Sequence, residues 1–167
     1  VISEIMYHPA DGSEDDLEYV EITSTSGELI DLSGWKLDGI GFTFPAGMLI
    51  SPGQMMLLVP FNPHNPVQFA EFEAAYNLVE ETTLLGPYSG SLSNSGERLR
   101  LLRPGTQENS FVVVDEVRYD DSSPWPSTPD GDGAALSRRH CAAAGSEAAN
   151  WRGALPNPGA DTCTGPA

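Results

Sequence analysis

Residues 111–119 read Phe-Val-Val-Val-Asp-Glu-Val-Arg-Tyr, the strongest strand signal in the chain. Valine and aromatic side chains suit a pleated, packed surface better than a helix. Upstream, Leu99 and Leu101 alternate with Arg98 and Arg100, which predicts a strand with one wet face. Residues 86–96, low in hydrophobicity and rich in Gly and Ser, form the turn region before it. Residues 55–59 are continuously apolar, so their strand should be central and covered on both faces, launched by the turn Ser51-Pro52-Gly53-Gln54. Phe42 and Phe44 alternate, and Trp35 to Asp38 follows the turn Asp31-Leu32-Ser33-Gly34. Residues 17–23 place Val20 and Ile22 on one face with Glu18 and Glu21 near it. In residues 1–7, Val1, Ile5 and Tyr7 alternate with Glu4 and Met6.

Downstream of Pro124 the chain reads as loop, with one brief strand over 134–138. One short helix is expected near 66–79: Asn65 suits an N-cap, Pro66 the first helical position, and Phe69, Phe72, Tyr76 and Val79 keep helical spacing. Eight or nine short strands divided by turns predict an all-β protein, an antiparallel β-sandwich with one helix. No βαβ alternation and no internal repeat is read. Residues 1–140 form the expected sandwich domain, and residues 141–167 a loop-rich tail packed on it.

The whole chain has 167 residues, enough for one domain, and 31 of them are Gly or Pro, too many breakers for a mostly helical protein. Its 24 acidic residues outnumber 8 basic ones, for a formal charge of −16. Such a surface repels phosphate backbones and anionic lipid, which argues against nucleic acid and against membrane insertion. Arg98, Arg100 and Arg103 and the pair Arg138-Arg139 read as solvated strand residues. No run of eighteen apolar residues is present. The chain opens without Met in a strand-like run, as a mature protein or an excised domain would, and Cys163 stands one place too far from the end for a prenylation box.

Cys141 and Cys163 are the two cysteines. A bridge between them would close a loop of about twenty residues and contribute about 3 kcal/mol in the chain-entropy picture. We therefore expect a disulfide and an oxidising compartment, with two free thiols as the alternative.

Catalytic signals are sparse. His8, His64 and His140 sit in no metal-binding pair, and Gly90-Ser91-Leu92-Ser93-Asn94 lacks the last glycine of a nucleophile elbow. The acidic pairs Glu18 with Glu21, Glu80-Glu81, Asp115-Glu116 and Asp120-Asp121 read as solvated acid in a chain so rich in carboxylates. Calcium is the sharper expectation: Asp130 and Asp132 lie two apart in Pro129-Asp130-Gly131-Asp132-Gly133, with Asp120 and Asp121 upstream. The Asp11 to Asp16 cluster is a weaker candidate. Trp35, Trp125 and Trp151 read as core plugs, with an exposed sugar-stacking row as the alternative.

One resemblance gathers these motifs. Glu4-Ile5-Met6-Tyr7 with Pro9, Glu18-Tyr19-Val20-Glu21-Ile22, Asp31-Leu32-Ser33-Gly34-Trp35-Lys36-Leu37 and Phe42-Thr43-Phe44-Pro45-Ala46-Gly47 come first. Pro52-Gly53, the run from Gly86 to Glu97, Asp115-Glu116-Val117-Arg118-Tyr119, Pro124-Trp125-Pro126 and Asn150-Trp151-Arg152 follow in order. The set resembles the bacterial lamin tail domain over nearly the whole chain. The resemblance implies an immunoglobulin-like sandwich and a non-catalytic interaction or scaffold module of a secreted or cell-surface protein. Its partner would be a protein or cell-envelope polymer, with a monomer favoured. A carbohydrate-binding module and a small secreted hydrolase are the alternatives. The family supplies no catalytic residues to carry over. The chromatin and membrane partners of nuclear relatives are not transferred, because the chain lacks a coiled-coil rod, a prenylation box and a basic face. The two cysteines lie outside the shared pattern.

Overall fold

A computed structural model describes residues 1–10, 14–79, 82–160 and 163. Its strands, in chain order, are β1 (Ile2–Met6), β2 (Tyr19–Thr23), β3 (Ile30–Asp31), β4 (Lys36–Asp38), β5 (Phe42–Thr43) and β6 (Leu49–Ile50). They continue with β7 (Met55–Leu58), β8 (Thr83–Leu85), β9 (Gly96–Pro104), β10 (Phe111–Asp120), β11 (Ala135–Arg138) and β12 (Trp151–Ala154). The helices are α1 (Glu14–Leu17) and α2 (Pro66–Tyr76). Six strands form one sheet in the order β12-β11-β1-β2-β7-β8, and four form the other in the order β10-β9-β4-β5. β3 and β6 pair separately. The all-β sandwich is as expected. The strands beyond eight or nine are short ladders of two to four residues, below the length at which alternation can be read.

Between the sheets lies the main core: Ile2, Ile5, Tyr7, Val20 and Ile22 from the larger sheet meet Leu37, Leu99, Leu101, Val117 and Tyr119 from the smaller. Alternation places these side chains inward, as the sequence predicts for β2, β9 and β10. Tyr7 stacks on Tyr119 with ring centroids 4.7 Å apart. At Gly96, where β9 begins against the end of β10, φ is +98° and a Cβ would lie 2.5 Å from the Tyr119 carbonyl oxygen, so only glycine fits.

The larger sheet is covered on its other face as well. Met6, Tyr19, Leu57 and Ala135 pack there under Phe72 of α2, with Phe69 and Tyr76 beside it. This explains the unbroken apolar run of β7. α2 starts where expected: the Asn65 side chain accepts hydrogen bonds from the backbone N–H of Val67 and Gln68, and Pro66 occupies the first turn. It stops at Asn77, in the left-handed conformation, so Val79 lies beyond the helix and is exposed.

Two features depart from the expected topology. β7 and β8 pair in parallel, with α2 as their crossover, so one βαβ unit exists where none is read in the sequence. A three-residue β8 gives too little pattern to reveal it. The stretch after residue 140 also contributes a strand: β12 pairs with β11 and closes that edge of the larger sheet. Cys141 and Cys163 are joined by a disulfide.

Candidate functional site

Glu18 and Glu21, which the sequence assigns to solvent, prove to be organising groups of the interior, together with Glu4. Glu4, Glu18 and Glu21 are 0%, 3% and 0% exposed. Glu4 accepts hydrogen bonds from the Tyr19 hydroxyl and the Asn157 N–H (3.1 Å) on one oxygen, and from the Ser137 hydroxyl (2.6 Å) on the other. Glu21 accepts from the Ser3 hydroxyl at 2.6 Å and the Gly159 N–H at 2.8 Å. Glu18 accepts from the Tyr88 hydroxyl at 2.8 Å and the Leu92 N–H at 3.0 Å. Glu97 repeats the device, taking the Ser93 N–H at 2.8 Å and the Tyr119 hydroxyl at 3.0 Å.

Each of these glutamates therefore holds a loop backbone N–H and a side-chain hydroxyl at once. Segments lying over a sheet, such as 157–159, leave amide donors that the ladder cannot satisfy, and a buried donor without an acceptor is costly. A carboxylate, with two oxygens, supplies several acceptors at one point. Burial raises the Glu4 pKa, while the hydrogen bonds from Ser137, Tyr19 and Asn157 oppose the rise. Tyr19, Tyr88 and Tyr119 are pushed up, first by burial and then by the neighbouring carboxylates, so they remain donors.

Arg138 is a second correction. It is 1% exposed, not part of a solvated pair; Arg139 beside it is exposed. Its Nη1 lies 2.5 Å from Asp115 Oδ2, and it also donates to the carbonyls of Ile2 (2.9 Å) and Ala143 (2.5 Å). Asp115 Oδ2 takes the Ile2 N–H as well, at 2.8 Å. β11 and β10 belong to different sheets, so this ion pair ties the two layers together.

At the end of the sandwich where β1 and β10 finish, three of the expected calcium ligands, Asp120, Asp121 and Asp130, lie in the neighbourhood of Tyr7. Tyr7 is buried and its hydroxyl has no hydrogen-bond partner among the described residues. Burial, then Asp130, Asp121 and Asp120, push its pKa up to about 12. Asp130 Oδ1 lies 2.7 Å from His8 Nδ1. Asp120 accepts from the backbone N–H and hydroxyl of Ser122, which lower its pKa. Asp121 and Asp132 are exposed. No group of three or more His, Cys, Asp or Glu side chains poised to hold a metal occurs among the described residues. Residues 11–13 of the weaker acidic cluster, and Glu80-Glu81, lie outside them.

The remaining candidates are distributed through the fold. His64 is exposed, and His140 Nδ1 is buried without a hydrogen-bond partner among the described residues. Trp151 is buried and donates its indole N–H to the Gly145 carbonyl at 2.8 Å; Trp35 and Trp125 are half-buried against the same core. The three tryptophans thus pack as core plugs and form no exposed row. Arg100 pairs with Asp38 at 2.5 Å on the outer face of the smaller sheet, with Arg98 and Arg118 opposite one another along the same face.

The lamin tail domain family model matches residues 1–121, which span β1 through β10. No curated protein and no solved structure matches the chain. β11, β12, the Arg138 end of the ion pair and the disulfide lie beyond the matched stretch.

Proposed function

Because the chain belongs to the lamin tail domain family, an immunoglobulin-like and non-catalytic one, we propose that it serves as an interaction or scaffold module of a secreted or cell-surface protein. One observation carries this reading. The buried carboxylates, the groups best suited to acid–base work, are spent on loop amides and hydroxyls of the scaffold itself. A catalytic carboxylate must instead reach a substrate proton from a cleft. The Cys141–Cys163 disulfide supports an oxidising compartment.

Thiol trapping in the native host tests the placement, and a panel of ester, phosphate and glycoside substrates tests the chemistry. The cysteines should resist alkylation until a reductant is added, and no turnover should depend on His8, His64 or His140. Free thiols in cells would overturn the extracytoplasmic assignment. Turnover abolished by His8→Ala would return the hydrolase reading, and tryptophan fluorescence shifted by glycans the sugar-binding one.

The reading includes a weak calcium site at Asp120, Asp121, Asp130 and Asp132. Its support is that Asp130, Asp121 and Asp120 all lie near enough to Tyr7 to help burial raise its pKa. Extracellular calcium modules commonly bind at about 0.1–1 mM. Calorimetry on EDTA-stripped protein should give saturable heat with calcium and not with magnesium, lost in Asp130→Ala/Asp132→Ala. No heat, or an equal response to magnesium, would remove calcium and leave the module reading intact.

A further inference from the structure

The C-terminal end of α2 opens onto a groove that the fold leaves unfilled. α2 lies over the larger sheet, and the chain leaving β12 borders the same groove at Leu155 and Pro156. The groove measures about 420 Å³, and its walls are mainly apolar, with Met6, Leu17 and Tyr76 facing it. An apolar cavity of about 150 Å³ accepts benzene, so there is room here for more than one side chain. Leu155 is 85% exposed, the most exposed large apolar residue among the described residues.

The same groove meets the negative end of a helix. Ala75, Tyr76 and Asn77 line it at the point where α2 stops. The last carbonyls of a helix together carry about −0.5 of an elementary charge, which a basic side chain in the last turn commonly offsets. α2 has no basic residue there. The Asn77 N–H satisfies one carbonyl, that of Glu73. Glu73 stands three and four positions before Tyr76 and Asn77, so its carboxylate adds negative charge to the same end.

Charge selects the occupant. Asp16 adjoins Leu17 and Asp132 adjoins Gly133, both groove residues. Residues 1–35 and 37–97, which supply both helices and β1, β2, β7 and β8, contain nine and six acids and not one lysine or arginine. His8, next to the groove residue Pro9, is held by Asp130 at 2.7 Å. Arg152 is the nearest arginine along the chain, three residues before Leu155, and its field falls on the buried Glu4. A second copy, at −16, brings charge of the wrong sign.

We infer that this groove receives a basic segment of a partner polypeptide. One apolar side chain of that segment lies between Tyr76 and Leu155, and a neighbouring lysine or arginine reaches the C-terminal carbonyls of α2. The apolar walls cover the stem of that cation while its charged head stays in water, the usual arrangement for a long basic side chain. Apolar burial supplies affinity, and complementary charge supplies selectivity and a fast encounter. The inference rests on the interaction-module reading and names the surface and partner class for it.

The test is a titration of isotope-labelled protein, followed by NMR at physiological salt, with three blocked peptides: Lys-Leu-Lys-Phe-Lys, Lys-Ser-Lys-Ser-Lys and Glu-Leu-Glu-Phe-Glu. The first should shift the amides of Leu17, Tyr76, Asn77 and Leu155 together. The other two should each bind at least tenfold more weakly. Ala75→Lys places a cation of the chain's own at the helix end, at an exposed position. It should weaken the first peptide at least tenfold while preserving the thermal transition. Leu155→Ser, also at an exposed position, gives a second variant and should weaken it severalfold.

No shift at these residues with millimolar peptide would overturn the inference. So would equal binding of the lysine–serine peptide, since charge alone would then account for it, or unchanged affinity in Ala75→Lys. A concentration-dependent dimer in sedimentation that Leu155→Ser abolishes would overturn it too, since a second copy would then own the groove. Thiol trapping and the substrate panel are independent of these outcomes, so a failed titration with oxidised cysteines and no turnover removes this surface alone.

Discussion

Replacing Arg138 with alanine is expected to lower the unfolding free energy by about 3–5 kcal/mol, the usual cost of breaking a buried ion pair from one side. The guanidinium is almost fully enclosed, and Asp115 is 8% exposed at the side chain. Without Arg138, the Asp115 carboxylate keeps the Ile2 N–H but loses its counter-charge, and the carbonyls of Ile2 and Ala143 lose a donor. Water has no easy access to replace any of them. Asp115→Ala should cost a similar amount for the mirrored reason, an uncompensated buried guanidinium. In the double variant neither charge remains, so its loss should fall well below the sum of the two single losses. Chemical denaturation of all four proteins, with unchanged denaturant slopes, measures the coupling. A single-variant loss under about 1 kcal/mol, the range of exposed pairs, would show that the pair is not a tie between the sheets.

The second large effect belongs to Glu4. Glu4→Ala should cost about 2–4 kcal/mol, because it strands the Asn157 N–H at about 1–3 kcal/mol and removes buried methylene packing at about 0.8 kcal/mol per group. The Ser137 and Tyr19 hydroxyls can turn to new partners, whereas a backbone amide cannot. Glu4→Gln separates charge from hydrogen bonding: its oxygen can serve Tyr19 and Asn157 while its amide donates to a rotated Ser137 hydroxyl.

The pH dependence follows from the direction of the shift. Burial raises the folded-state pKa of Glu4 above 4.5. The stabilising contribution of its proton is therefore fully present below about pH 4.5 and is lost as pH rises through the folded pKa. Glu4→Gln, which carries no charge at any pH, should gain on the parent protein as pH rises through that window, by about 1.4 kcal/mol per pH unit at most. Melting both proteins between pH 4 and 8 checks it. A stability difference that is flat with pH, or that moves the other way, would contradict the raised pKa.

These two sites mark where sequence reading stopped. The alternation of Val20 and Ile22, the apolar run of β7, the Asn65-Pro66 start of α2 and the Val-rich β10 are local signals, decided within a few residues of themselves. They were sufficient for an all-β sandwich with one helix. The ordered turn motifs were sufficient for the family. The pairing of Cys141 with Cys163 was likewise an expectation of the chain itself, which holds two cysteines about twenty residues apart.

The fate of the polar side chains was not local. Glu4 and Glu21 stand on the outer face of central strands, where pattern alone predicts water. The segment at 157–159, more than a hundred residues away, covers them and brings the amides they accept. Arg138 and Asp115 meet because β11 and β10 face each other across the core. Conversely, Phe111 to Val114 have every mark of buried strand, and the tertiary structure leaves them at an open edge. Period and propensity determine which face of a strand is apolar. What lies against that face depends on distant chain, and with it depends whether a carboxylate is a solvated charge or an internal acceptor.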